Sequence, residues 1–402
     1  MELNIENVEI LLLVAAVVAM AARRLKIPYT IGLFLAGIGL AFSSLTPEIN
    51  LTKELIFTIF LPPLIYEAAL YIRWKELRRD APVILAFATA GILFSVGITA
   101  LGMRFIVNWS WESAILFGVL IAATDPVSVI ATFKEAGVHG RLRLLVEAES
   151  LFNDGTAAVA FVIALAFATG GQVTLFGTLQ TLATMVLGGV LCGALVAGGV
   201  LLLAGRTEDH LIEITLTTIA AYGSFLLAEH FHTSGVLASL TAGLITGNMG
   251  SLFNSISEKG RGAVESFWEY VAFVVNSLIF ILIGVRETRQ DFMNLLFPIS
   301  VAIIIVVIGR AVAIYPISAL FSRSALQIKK THQHILFWGG LRGALALALA
   351  LGLPPEIPQR EEIVTVAFGV VGFSVLIQGM TIIPLLRKFN EIAAPSAETK
   401  LI

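Results

Sequence analysis

Long apolar runs recur along the whole chain of 402 residues, and they decide what this protein can fold into. A helix needs about 20 mostly apolar residues to cross a bilayer, and by that standard about 13 runs qualify. Because every backbone polar group must be satisfied within a membrane, such runs fold as helices. We therefore predict an all-α polytopic membrane protein with about 13 transmembrane helices. The runs are roughly 8–22, 28–44, 54–72, 81–103, 113–133, 146–168, 175–204, 211–229, 233–248, 264–285, 294–320, 333–352 and 362–386.

Composition agrees with this fold class and excludes several functions. Apolar residues make up 57% of the chain, charged residues only 13%, and the mean hydropathy is +0.91, unlike a soluble domain. The net charge of −2, with basic residues spread along the chain, argues against a nucleic acid partner. The single cysteine, Cys192, excludes an intrachain disulfide and a metal site built on several thiolates. No Gly-x-x-x-x-Gly-Lys-Ser/Thr loop occurs, so we expect neither a nucleotide nor a cofactor.

The distribution of basic residues predicts the orientation. Of the 26 lysines and arginines, about 19 fall in one set of alternate loops and about 5 in the other, and cytoplasmic loops carry the excess. This places the N-terminus outside and the C-terminus in the cytoplasm, as a multi-pass protein of the cell (inner or plasma) membrane. An acidic start, with Glu2 and Glu6, indicates that the first span is retained and not cleaved as a signal peptide.

The fifth predicted span contains Thr124-Asp125-Pro126. A carboxylate at bilayer depth costs roughly 2.5–3.5 kcal/mol, so it is usually functional. Proline disfavours helix in the preceding residue, while Asp125 is a good N-cap and Pro126 a good first helical residue. The helix should therefore break and restart here, and the freed carbonyls and helix start could hold a dehydrated cation beside the carboxylate. The alternative is an ordinary proline kink beside an aspartate whose hydrogen bonds are satisfied.

The sixth span carries a second polar stretch, from Glu149 to Gly155. Ser150 and Asp154 are four residues apart, as are Glu149 and Asn153, so all four side chains share one helix face. Hard cations such as Na⁺ and Li⁺ prefer such oxygen ligands. A buried carboxylate favours a proton and a nearby cation displaces it, so Asp154 could exchange one for the other. The alternative is a polar face that holds a helix bundle together.

Three further charged residues lie in predicted spans. Glu67, after Pro62-Pro63, is either another buried carboxylate or an interfacial glutamate near the end of its helix. Arg310 and Arg342 need anionic partners or exposed carbonyls. Glu149 is the obvious partner, and such a pair would be structural and would leave Asp154 for the ion.

The two halves of the chain carry interruptions at matching places. If the seventh span is a connector, spans one to six correspond to spans eight to thirteen, with opposite topology. The fifth span, with its Thr-Asp-Pro sequence, then pairs with the twelfth, which carries Gly-Gly-Leu-Arg-Gly at 339–343. Matching breaks are typical of transporters built from inverted repeats. We predict inverted repeats of six helices, with broken helices in the fifth and twelfth spans.

These motifs together resemble those of NhaP-type sodium/proton antiporters, which are related to animal sodium/proton exchangers. The resemblance rests on Leu61-Pro62-Pro63-Leu64-Ile65-Tyr66-Glu67, Ala123-Thr124-Asp125-Pro126-Val127, the stretch 149–155 and the Gly-Gly-Leu-Arg-Gly sequence, and it extends over essentially the whole chain. It implies a homodimer in which a six-helix core moves against a dimerisation domain. Within a single transporter unit, 1–388, the core would comprise approximately 81–168 and 294–388 and the dimerisation helices 8–72 and 175–285, followed by a short cytoplasmic tail, 389–402.

The resemblance also implies roles for individual residues. Asp154 would be the carboxylate that binds both the ion and the proton, with four residues around the ion: Thr124, Asp125, Ser150 and Glu67. Asn153, where electrogenic relatives have a second aspartate, suggests electroneutral exchange of one cation for one proton. Glu149 and Arg310 resemble the family's buried ion pair.

The function that we predict is secondary active antiport of Na⁺ or Li⁺ against H⁺, serving pH homeostasis, by a protein that is not an enzyme. Three alternatives remain at this point: a K⁺/H⁺ antiporter of the same fold, a passive channel, and an intramembrane aspartyl protease using Asp125 and Asp154. The protease alternative lacks the Gly-x-Gly-Asp motif that such enzymes share, and a channel would not need titratable ligands at its core.

Overall fold

The computed structural model describes residues 5–392 except 26, 44–50, 126–128, 131, 134–135, 172–173 and 253–257. Within these ranges every regular element is a helix, which confirms the all-α prediction. Pro126 and Val127 of the fifth predicted span lie outside the described residues, as does 393–402 of the predicted tail.

The helices are numbered here in chain order. They are α1 (Ile5–Leu25), α2 (Tyr29–Ala41), α3 (Leu61–Leu70), α4 (Trp74–Ala86), α5 (Ile92–Phe105), α6 (Trp111–Ala122), α7 (Arg141–Ala168), α8 (Leu175–Ala204), α9 (His210–His230), α10 (Gly235–Leu252), α11 (Glu258–Glu287), α12 (Leu296–Leu320), α13 (Lys330–Trp338), α14 (Ala344–Leu351), α15 (Arg360–Phe373) and α16 (Gly379–Lys388). Wider π-helical turns precede α3 (Leu55–Phe60), join α4 to α5 (Phe87–Gly91) and join α15 to α16 (Ser374–Gln378).

Several of these helices are long and apolar enough to cross a membrane. Among the described residues there are seven, at 74–105, 141–168, 175–204, 210–230, 260–287, 293–320 and 360–388. Shorter apolar helices lie at 29–41, 55–70, 111–122 and 235–249. All of them overlap predicted spans, and the chain is a multi-pass membrane protein; the total of about 13 crossings stays a prediction.

Hydroxyl and carboxylate side chains define where several helices begin. Ser110 caps α6, Thr174 caps α8 and Asp209 caps α9, each accepting a hydrogen bond from a backbone N–H of the first turn. These N–H groups have no partner within the helix, so the caps satisfy them.

The helices pack in two groups. In the first, α2 packs along α11, and α10 contacts α3, α8 and α9. In the second, α5 packs against α6 and α12, α7 against α4 and α6, and α14 against α15. The groups meet where α7 contacts α3, α8 and α10, and where α14 contacts the π-helical turn before α3.

Close packing of α2 on α11 depends on glycine. A Cβ atom at Gly37 or at Gly284 would lie 2.2 Å from a backbone oxygen of the opposite helix. Small residues let membrane helices approach this closely, so van der Waals contact replaces the missing hydrophobic drive.

Candidate ion-binding site

Two non-helical segments meet inside the second group of helices. Helix α6 ends at Ala122, and 123–125 continue without regular structure; α13 and α14 are separated by the equally irregular segment 339–343. The backbone N–H of Asp125 donates to the carbonyl of Leu341 over 2.7 Å. A Cβ atom at Gly343 would lie 2.6 Å from that of Asp125, so only glycine permits this approach.

Arg342 lies where these two segments meet, and it donates hydrogen bonds to the carbonyls at the end of α6. Its Nη1 donates to the carbonyls of Ala122 and Ala123 at 2.7 and 3.1 Å, and its backbone N–H donates to Ser374 Oγ at 2.9 Å. The last carbonyls of a helix lack partners and carry partial negative charge, which a guanidinium compensates. Of the two kinds of partner expected for Arg342, the structure therefore provides exposed carbonyls.

A hydrogen-bond network connects the irregular segment 123–125 to α7. Thr124 Oγ1 donates to Ser150 Oγ at 3.0 Å and accepts from Asn153 Nδ2 at 3.2 Å. The same amide also donates to Glu149 Oε1 at 3.1 Å. All four side chains are buried. The polar face of α7 thus contacts the irregular segment 123–125 and fixes the position of Thr124.

Glu149 is held by Arg310 from α12. Arg310 Nη1 and Nη2 donate to the two carboxylate oxygens at 2.6 and 2.9 Å, and Nη2 also donates to the carbonyl of Leu336 at 2.9 Å. Bidentate contacts of this kind are directional as well as strong. Gly340 makes room for the arginine, because a Cβ atom there would lie 2.5 Å from Arg310 Nε. The pair joins α7 to α12 and to the end of α13.

Asp154 lies one turn beyond Ser150 and differs from every other carboxylate of this network. Its side chain is 97% buried, with 3% exposed, and its Oδ1 has no hydrogen-bond partner among the described residues. An orphaned buried acceptor is uncommon and calls for an explanation such as a missing ion, proton or water. Asp125, Glu149 and Arg342 all lie close enough to interact with its charge.

Asp154 lines a small cavity. The cavity has a volume of about 20 Å³, which is enough for one water molecule or one ion of similar size. Its walls are Leu61, Leu64, Ile65, Ala123, Thr124, Asp125, Leu151, Asp154 and residues 343–346. One wall comes from α3 of the first helix group, and the others come from the second group. Two aspartates and one threonine, among apolar residues, thus surround a space of ionic dimensions.

The remaining predicted site residues lie around this cavity at different distances. Thr124, Asp125 and Asp154 line it. Ser150 and Asn153 do not line it, but both are hydrogen-bonded to Thr124. Glu67 does not line it. That side chain is half-buried on α3 and close enough to Tyr71 to interact with it.

Sequence reasoning missed the residues that stabilise the irregular segment 339–343. Ser374 Oγ accepts from the N–H of Arg342 and donates to Gln378 Oε1 at 2.7 Å, while Gln378 Nε2 donates to the carbonyl of Trp338 at 3.3 Å. Ser374 and Gln378 span the π-helical turn between α15 and α16, and such turns are frequent at functional sites. Two polar residues four apart in an apolar run are the signal that could have identified them.

Comparison with known proteins gives a consistent result. Residues 10–388 match the family model described as sodium/hydrogen exchanger, transmembrane. The chain is 40% identical over 369 residues to the Na⁺/H⁺ antiporter ApNhaP of Aphanothece halophytica, covering 91% of this chain and 70% of that one. It is 32% identical over 400 residues to the Na⁺/H⁺ antiporter NhaH of Halobacillus dabanensis, covering 96% and 98%.

The fold is also similar to a solved structure. The sodium proton antiporter MjNhaP1 of Methanocaldococcus jannaschii superposes with a TM-score of 0.77 at 21% identity, covering 98% of this chain and 100% of that one. The family match spans nearly the whole chain, including the irregular segments 123–125 and 339–343 and the cavity beside them. The chain therefore belongs to the sodium/hydrogen exchanger family of membrane transporters.

Proposed function

We propose that this protein is a secondary active antiporter that exchanges Na⁺ for H⁺ by alternating access. The observation that carries the proposal is Asp154, a buried carboxylate with an unpartnered oxygen on a cavity of ionic size. The relatives named above are Na⁺/H⁺ antiporters, which favours Na⁺ over K⁺ as the transported cation and disfavours proteolysis by Asp125 and Asp154. Li⁺ suits the same oxygen ligands and is a second expected passenger.

Coupling follows from the cost of an unneutralised carboxylate at this depth. Asp154 binds either a proton or a Na⁺, and each passenger displaces the other because metal ligands must be deprotonated. In either loaded form the negative charge is compensated, and the site can move between the two sides of the membrane. The empty, ionised form is expensive within the lipid, so it stays where it is. Each cation that crosses in one direction is then matched by a proton in the other, without a cofactor.

The charge balance around the cavity favours one cation for one proton. When ionised, Asp125, Asp154 and Glu149 carry three negative charges, and Arg310 and Arg342 carry two positive charges. One negative charge remains, and a single Na⁺ or a single H⁺ neutralises it. Asn153 occupies a position on the same face of α7 where a second aspartate would add another charge. Exchange is then electroneutral.

The two helix groups are natural candidates for the two moving parts. The cavity lies where they meet, with Leu61, Leu64 and Ile65 on one side and Asp154 on the other. We assign α4–α7 and α12–α16 to a mobile core, and α1–α3 and α8–α11 to a dimerisation domain that joins two copies within the lipid. We assign the protein to the cell membrane, with the N-terminus outside and the C-terminus in the cytoplasm, from the asymmetry of basic residues.

The decisive experiment removes the charge of Asp154 and leaves a second carboxylate of α7 as control. Asp154→Asn should abolish Na⁺-driven proton movement in proteoliposomes that contain a pH-sensitive dye. Glu147→Gln should retain it, because Glu147 pairs with Arg143 on the same helix and does not line the cavity. Normal exchange by Asp154→Asn would reject the site. A pH signal in the native protein that changes with an imposed voltage would reject electroneutrality alone.

A further inference from the structure

A groove separate from the ion cavity opens between α12, α13 and α16. Its volume is about 510 Å³, within the range of sites that enclose small organic molecules. Aromatic rings form much of the wall, and one lysine lies at the end of it; these residues are Tyr315, His334, Phe337, Trp338, Phe389 and Lys388. Exchange as proposed above makes no use of this groove.

The rings are fixed by contacts among themselves. Tyr315 Oη and His334 Nδ1 are hydrogen-bonded at 2.8 Å, and Trp338 Nε1 donates to Thr381 Oγ1 at 2.7 Å. The imidazole of His334 stacks on Phe389, with ring centroids 5.6 Å apart and planes 17° apart. The groove is therefore preformed, so a ligand would not have to order these side chains.

One face of the last helix continues the groove into the apolar surface. Thr381 and Lys388 are seven residues apart and so lie on one side of α16. Ile377 lies in the π-helical turn that leads into α16, and its carbonyl accepts a hydrogen bond from Thr381 Oγ1 at 2.6 Å. Ile377 and Met380 are 48% and 53% exposed, and Lys388 is exposed at the end of α16. An apolar strip thus leads to a cation.

Lys388 is available to an external anion. It forms no ion pair with any residue that the structure describes. The nearest carboxylate in sequence, Glu391, is instead 3.2 Å from His332 Nε2. Lys388 also lies in the set of alternate loops and chain ends that carries most of the basic residues. Such an excess of basic residues marks the cytoplasmic side.

We propose that this groove binds an anionic phospholipid of the cytoplasmic leaflet, with the phosphate headgroup at Lys388 and an acyl chain along Trp338, Met380 and Ile377. Tryptophan and tyrosine favour the depth of the headgroups. Basic pockets between transmembrane helices on this side are suited to anionic headgroups. The apolar strip and the single cation match the two chemical parts of such a lipid.

Fluorescence quenching tests the proposal on the purified full-length chain in detergent micelles. Phosphatidylglycerol and phosphatidylcholine with brominated acyl chains are titrated separately, and tryptophan emission is recorded. The Trp338→Phe variant identifies the part of the signal that comes from the groove. We expect phosphatidylglycerol to quench that part saturably. In Lys388→Gln the lipid concentration at half-saturation should rise about fivefold, which corresponds to the roughly 1 kcal/mol that one basic residue contributes near an anionic surface.

Arg387→Gln is the matched control, because Arg387 is an exposed neighbour on α16 that does not line the groove. It should change half-saturation less than twofold. Equal quenching of Trp338 by phosphatidylcholine would mean ordinary surrounding lipid and would overturn the proposal. So would equal effects of the two substitutions, or a Trp338 signal that neither lipid quenches, which would indicate another occupant such as 393–402. None of these outcomes depends on Na⁺/H⁺ exchange.

Discussion

The buried pair of Glu149 and Arg310 permits a quantitative prediction about stability. The two side chains are 1% and 8% exposed and are joined by two hydrogen bonds. Arg310→Met removes one partner and leaves the carboxylate of Glu149 in the protein interior. Breaking a buried pair in this way typically costs about 3–5 kcal/mol. This corresponds to a reduction on the order of 10² to 10⁴ in the ratio of folded to unfolded protein.

A double variant distinguishes the effect of losing the whole ion pair from the effect of losing one partner. In Glu149→Gln with Arg310→Met the buried charge is gone, while the new amide oxygen still accepts from Asn153. We expect this variant to recover most of the lost free energy of unfolding, because neutral replacement of a buried pair is often tolerated. The difference between the double variant and the sum of the single variants is the coupling energy of the pair.

A second pair on the same helix serves as control. Arg143 and Glu147 are joined across one helical turn, and the arginine is 26% exposed. Arg143→Met should cost less than Arg310→Met, because Arg143 is partly exposed and water at the outer end of the pair screens its charges, although Glu147 itself is buried. The assay is unfolding in mixed micelles by added dodecyl sulfate, followed by tryptophan fluorescence. If Arg310→Met costs no more than Arg143→Met, or if the double variant is as unstable as the sum of both changes, the pair does not act as described.

Two further predictions concern exchange itself. Gly343→Ala should slow exchange in proteoliposomes by about 100-fold, because the added Cβ displaces Asp125 and misplacement of a site residue by about 1 Å can cost this much. Gly97→Ala is the control. No atom lies within 4 Å of a Cβ added there, so the rate should be unchanged. On the acid side, where a proton occupies Asp154, the apparent KM for Na⁺ should rise about tenfold for each unit that the pH falls, because the ion binds only the deprotonated carboxylate; a KM independent of pH in initial-rate measurements would contradict competition.

The sequence predicts the fold well where the bilayer imposes the rule. Apolar length identifies helices at the right places, because a lipid environment leaves few alternatives to a helix. Helix ends are less well predicted. The run 113–133 reads as one span by hydropathy, and Asp125-Pro126 predicts a break within it. The observed helix α6 already ends at Ala122, because the irregular backbone after it is satisfied by Arg342 and Leu341 from a distant part of the chain.

The candidate site divides in the same way. Asp125 and Asp154 are visible in the sequence, because a carboxylate in an apolar run is expensive and therefore conspicuous. The carbonyl of Leu341 has no such signal, since every residue has one. Ser374 is marked only by its spacing of four residues from Gln378 in an apolar run. Its contact with Arg342 depends on how α15 packs against the segment 339–343, and no local sequence pattern records that packing. The role predicted for Glu67 stays a prediction.

The hydrogen bond from Asp125 to Leu341 joins the segment 123–125 to the segment 339–343, and the repeats that we predict from the sequence would place these segments in opposite senses in the bilayer. An ion that displaces either segment by a fraction of an ångström must therefore displace the other segment. In the proposed alternating-access cycle, an ion that reaches the site from either side would then move both segments without a relay of intermediate residues. This one hydrogen bond would thus couple the two segments, so that the site opens to only one side of the membrane at a time.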